Sequence, residues 1–86
     1  MNRIYKYGLQ LAHKNKVVMP KEAKILKASM QGSVPCIWAL VDTDKSDETR
    51  TFIIYGTGHE IVESNLEFIE TFFQGPYVWH LFELKG

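Results

Sequence analysis

Apolar and polar residues alternate with a period of two along most of this chain, in short runs interrupted by Gly, Pro, Asn, Asp and Ser. Period-two alternation places successive side chains on opposite faces of a strand, and the interruptions supply turns. Arg3 to Gln10 is a first strand with Tyr5, Tyr7 and Leu9 on one face, and Lys16 to Met19 a short second one stopped by Pro20. Lys24 to Met30 follows, with Gln31-Gly32-Ser33 turning it back into Val34 to Asp42. That fourth segment is apolar on both faces, Cys36, Trp38 and Leu40 against Ile37, Ala39 and Val41, which predicts a central strand.

The polar stretch Asp42 to Thr49 reads as an exposed loop before a strand from Arg50 to Tyr55, itself ended by Gly56-Thr57-Gly58. Leu66 to Gln74 and Tyr77 to Leu84 pair as a terminal hairpin across Gly75-Pro76. No long window keeps apolar residues at three-and-four spacing, so helix is limited to a turn or two at Gly8 to Lys14 and Glu60 to Asn65. The expected fold is mainly β: a small antiparallel meander or curled sheet of six or seven strands. A central strand apolar on both faces needs cover that helices do not provide, so either the sheet curls on itself or a second subunit covers it.

Length changes the picture little: 86 residues leave room for one domain with a small core. Ten basic and ten acidic residues give zero formal net charge without blocks of one sign, which argues against a protein that grips duplex nucleic acid. The single cysteine, Cys36, sits in an apolar run and reads as a small buried hydrophobe in a reducing compartment. No signal-peptide stretch and no bilayer-length apolar run is present, so a cytoplasmic protein without a membrane partner is expected. With 45% hydrophobic and 13% aromatic residues, homo-oligomerisation is the simplest outlet for surplus apolar surface.

The most singular segment is Arg50 to His59. A strand ending in Gly56-Thr57-Gly58 presents consecutive amides unobstructed by Cβ atoms, a nest suited to anions. Thr57 adds a hydroxyl, His59 a hydrogen-bond donor, and Arg50 a planar fork for phosphate. The segment lacks the Gly-Lys-Ser/Thr ending of a Walker loop and the third glycine of a dinucleotide fingerprint, and taken from the residues alone an ordinary glycine turn between strands is the simpler account of it. Trp38, Tyr55, Tyr77 and Trp79 supply faces on which a nucleobase stacks, although core packing also explains tryptophans. His13, His59, His80 and Cys36 show no metal-ligand spacing, and no nucleophile–base pair or carboxylate pair stands out, so neither a metal, a cofactor nor catalysis is expected.

Five segments, Ile4 to Leu9, Met19 to Leu26, Val34 to Asp42, Tyr55 to Ile61 and Gly75 to Glu83, together resemble a family of short uncharacterised proteins encoded by tailed phages and prophages. In size and in lacking catalytic motifs the chain is similar to small phage anti-defence proteins such as the Sequestin-like sponges, which trap nucleotide second messengers of Thoeris or CBASS immunity. That resemblance implies an oligomer sequestering a cyclic ADP-ribose-like or cyclic oligonucleotide signal without cleaving it. Arg50, Gly56, Thr57, Gly58 and His59 would take the phosphates, and Tyr55, Trp38 or Trp79 the base. Two alternatives stay open: a protein-interaction module that inhibits a host protein, and a small nucleotide hydrolase using His59 or His80 as base.

Overall fold

The computed structural model describes residues 1–86 and consists of seven antiparallel strands with no helix, and therefore no helix long and apolar enough to cross a membrane. The strands are β1 (Asn2–Gly8), β2 (Lys14–Pro20), β3 (Lys24–Gln31), β4 (Val34–Asp42), β5 (Asp47–Gly56), β6 (Leu66–Gln74) and β7 (Tyr77–Leu84). They form two sheets, β1-β4-β3 and β2-β5-β7-β6. The chain thus folds over itself to hide its apolar stripes, as a sheet of this composition must.

The core lies between the sheets. Ala28 of β3 and Ile37, Ala39 and Val41 of β4 face Met19, Phe52, Ile54, Phe72 and Leu81 of the larger sheet. β4 is central in its sheet, as its double apolar pattern predicts, yet only one of its faces is fully hidden. On the outer face Cys36 is buried, Trp38 half-buried, and Leu40 exposed. β5 and β7 occupy the middle of the other sheet, in register from Thr51↔Leu84 to Gly56↔Trp79.

Glycine sets two of the turns. Gly75 (φ 55°) and Gly32 (φ 62°) each stand first in a two-residue loop followed by a residue that keeps negative φ, the type II′ arrangement whose twist matches the paired strands. β3 and β6 each carry a bulge, with Leu26 and Ile69 as the extra residues, and both line the same groove where the two sheets meet. Bulges bend strands and sharpen their twist, which lets these edges approach without pairing.

Several sequence expectations are corrected. Gly8 to Lys14 and Glu60 to Asn65 form no helical turn; the first is a crossover between sheets and the second a loop laid on the larger sheet. The loop expected from Asp42 to Thr49 shrinks to its centre, because β4 keeps Asp42 and β5 starts at Asp47, pairing with Pro20. Polar residues there belong to a solvent-facing strand end rather than to a loop. β1 stops at Gly8 and β2 extends to Lys14–Pro20, its proline sitting at an edge where a missing N–H costs no ladder bond.

Candidate functional site

The end of β5 turns sharply. The Gly56 carbonyl accepts the His59 N–H at 3.1 Å, and Gly58 at the third position has φ 92° while Thr57 keeps negative φ, which defines a type II turn. The His59 side chain folds back so that Nδ1 accepts the Gly56 N–H at 3.2 Å. A Cβ at Gly56 would stand 2.9 Å from that imidazole, so the glycine is what allows the ring to lie flat on the backbone. Thr57 is tied to β7, its N–H donating to the Val78 carbonyl at 3.1 Å.

These bonds change the anion nest expected from Gly56-Thr57-Gly58. Two of its three amides are already used inside the protein, and only the Gly58 N–H has no acceptor within the chain. Facing the turn is the start of the β6–β7 hairpin, where Tyr77 and Trp79 stack with ring centres 5.9 Å apart and planes inclined by 23°. Trp79 is held by a hydrogen bond from Nε1 to Gln74 Oε1 at 3.1 Å and rests on the edge of the core. Between turn and hairpin lies a cleft of about 360 Å³, lined by Gly56, Thr57, His59, Pro76, Tyr77, Val78 and Trp79.

His80 stands behind this cleft and is fully committed. Nε2 lies 2.8 Å from Thr57 Oγ1 and Nδ1 3.0 Å from Thr71 Oγ1. Because Thr57 Oγ1 also donates to the Val78 carbonyl at 3.4 Å, it accepts from His80 Nε2–H, and Nδ1 then accepts from Thr71. The imidazole is a strut between strands, not a base open to a substrate.

Three of the sequence-selected residues lie elsewhere. Arg50 sits at the opposite end of β5, where its Nε and Nη2 grip Glu83 at 2.6 and 2.7 Å and Nη1 donates to the Ala23 carbonyl at 2.5 Å. The side chains are 13% and 5% exposed, and this bidentate pair holds Arg50 above its ordinary pKa. Burial alone would raise the Glu83 carboxyl, but the hydrogen bonds and charge of Arg50, with Lys85 nearby, outweigh it and hold Glu83 low. A larger hollow of about 540 Å³ opens beside this pair; its two cations, Arg50 and Lys85, are already ion-paired and Glu22 and Glu48 also line it, so it offers phosphate no free cation.

Tyr55 points to the outer face of the larger sheet. Its hydroxyl accepts the amides of Val62 and Glu63 at 3.1 and 3.3 Å and donates to the Glu63 carboxylate, which also bonds His13 Nε2 at 2.8 Å. Tyr55 therefore pins the loop after the turn and offers no face to a ligand. Trp38 belongs to the smaller sheet, on its outer face. Period-two parity separates Trp38 from the core face, but only the assignment of strands to sheets shows that it cannot reach Trp79. Pro76, Tyr77 and Val78 complete the cleft beyond the residues expected to bind a ligand, and the place of Tyr77 two residues before Trp79 is the signal in the sequence that they share a strand face.

A family model, Domain of unknown function (DUF7352), matches residues 1–86, the whole chain. The chain belongs to the DUF7352 family. No curated protein and no solved structure matches it. Membership in DUF7352 assigns no chemistry to the cleft.

Proposed function

We propose that this DUF7352 domain is a binding protein whose cleft takes a ligand combining a planar ring with an anionic group, a nucleotide or nucleotide-derived signal, and holds it without turnover. The stacked Tyr77–Trp79 wall opposite the Gly56–His59 turn carries this reading. A flat, rigid aromatic shelf beside a donor cluster suits base stacking with a phosphate at the turn. The donors on offer are the Gly58 N–H and the free ring nitrogen of His59, without Arg50 and without the Thr57 hydroxyl, whose proton goes to the Val78 carbonyl. Ring recognition thus supplies most of the affinity, and phosphate contacts mainly orient the ligand.

The state of the imidazoles supports binding without turnover. His80 has both nitrogens bonded to threonines, and His59 spends Nδ1 on the Gly56 amide. In the phage setting suggested by the sequence resemblance, the ligand would be a cyclic ADP-ribose-like or cyclic oligonucleotide immune signal sequestered in the host cytoplasm by a homo-oligomer. A second reading, a module that docks on a host protein, draws support from Phe73 and Tyr77, 74% and 60% exposed on the same hairpin.

Thermal-shift titration with cyclic dinucleotides and cyclic ADP-ribose isomers, followed by chromatography of the released ligand, separates these readings. At ~100 times its Kd a ligand stabilises the fold by about 2.7 kcal/mol, several degrees at this size. A shift with intact ligand that Tyr77→Ala removes supports sequestration. A shift with altered ligand overturns it in favour of hydrolysis, and no shift with any nucleotide overturns it in favour of a protein partner.

A further inference from the structure

Charge in this chain is balanced in total but not in place. Seven of the ten basic residues precede Asp42, and nine of the ten acidic residues lie from Asp42 onward. None of those seven early basic residues has a carboxylate partner, whereas Lys45, Arg50 and Lys85 are each ion-paired. The free positive charge therefore lies in the half of the chain that supplies β1, β2 and β3.

The strand register concentrates part of it on one surface. On the outer face of the smaller sheet, Lys6, Trp38 and Lys27 stand in one row across β1, β4 and β3, and Ile4, Leu40 and Lys24 in the next. Ile4 is 62% and Leu40 37% exposed, so the face is open at this row, while Trp38 in the row before it is half-buried and Cys36 beyond is buried. Asp42, the one carboxylate at its end, is engaged by the Met1 amino group at 2.9 Å. Lys6 donates only to the neutral Gln31 amide.

We propose that this face binds single-stranded nucleic acid, independently of the cleft. An indole at the centre of an open sheet gives an unstacked base a surface to lie on, and lysines on the two neighbouring strands meet the phosphates on either side. A duplex hides its base faces and gains nothing from Trp38. A second copy of the chain is a poorer occupant, because half of its ten acidic side chains, Glu22, Asp42, Asp44, Glu67 and Glu83, are already paired with its own cations.

Fluorescence anisotropy with labelled oligouridylate and oligothymidylate tests this. Three phosphate contacts on a single strand give a log–log salt slope of about −2, or roughly 20-fold weaker binding on going from about 50 to about 200 mM salt. Lys27→Gln should reduce that slope by about 0.7, and Trp38→Ala should weaken binding by about tenfold or more with the fold verified by circular dichroism. Lys16→Gln, on the other sheet, should change neither. Failure of the wild type to bind either oligonucleotide at low salt would overturn the proposal. So would binding that Lys6→Gln and Lys27→Gln leave unaltered, or an oligomer in sedimentation that these variants dissociate without any oligonucleotide bound.

Discussion

The two ends of β5 hold the sequence's two most conspicuous polar features, and the fold treats them in opposite ways. At the first end Arg50 is clamped by Glu83 and the Ala23 carbonyl and nearly hidden from solvent. At the other, the Gly56–His59 turn stays open, with one free amide, an exposed imidazole and an aromatic wall across a cleft. A cation that looks suited to phosphate is consumed in holding sheets and turns together, and the electrically neutral end is left available. What a charged residue does is decided by the partner the fold brings to it.

Breaking the closed end has the largest expected effect. Glu83→Ala leaves a guanidinium buried without its carboxylate and should cost about 3–5 kcal/mol, seen as a lowered urea midpoint, while the pair change Arg50→Met with Glu83→Leu should recover most of that loss. The same pair gives acid sensitivity. The folded Glu83 carboxyl titrates below its ordinary value of 4.5, so its contribution is fully present above that pH and is lost as pH falls through the depressed folded value. Urea melts from pH 7 down to about pH 3 should show that decline, and Glu83→Gln should flatten it.

At the open end the effects on stability are smaller. Gly58→Ala forces a side chain into φ 92° and should cost about 1–2 kcal/mol, with the cleft distorted as well. Tyr77→Ala sharpens the contrast most: with the side chain 60% exposed, it should move stability by no more than about 0.5 kcal/mol. In the same variant, loss of one stacking face should weaken a ring-bearing ligand by about 1–3 kcal/mol, read by titration calorimetry. A variant that loses binding while keeping its fold would mark that end as functional surface rather than framework.

Local patterning made the strands and the terminal hairpin legible, because alternation and glycine turns act over a few residues. Tyr77 and Trp79 share a strand face, and Gly56, Thr57 and His59 share a turn, by local pattern, but the two groups meet only through the β5–β7 pairing that sets Gly56 opposite Trp79. Arg50, Tyr55 and Trp38 were misplaced for a different reason: each depends on a partner 8 to 33 positions away or on which sheet a strand joins. The charge asymmetry between the two halves was readable from composition by segment. Its meaning was not, since ion pairing of the later cations and freedom of the earlier ones depend on tertiary neighbours.

The sequence by itself determined a mainly β chain of six or seven short strands, a buried lone cysteine and a central β4, because side-chain parity and turn chemistry are encoded residue by residue. Only the tertiary structure decided that the strands divide three and four between two sheets, that Arg50 closes on Glu83, and that Trp38 stands half-buried between lysines on an outer face. Those outcomes require contacts between residues far apart in the chain, and loop closure, packing and electrostatic pairing choose among such contacts jointly rather than one position at a time.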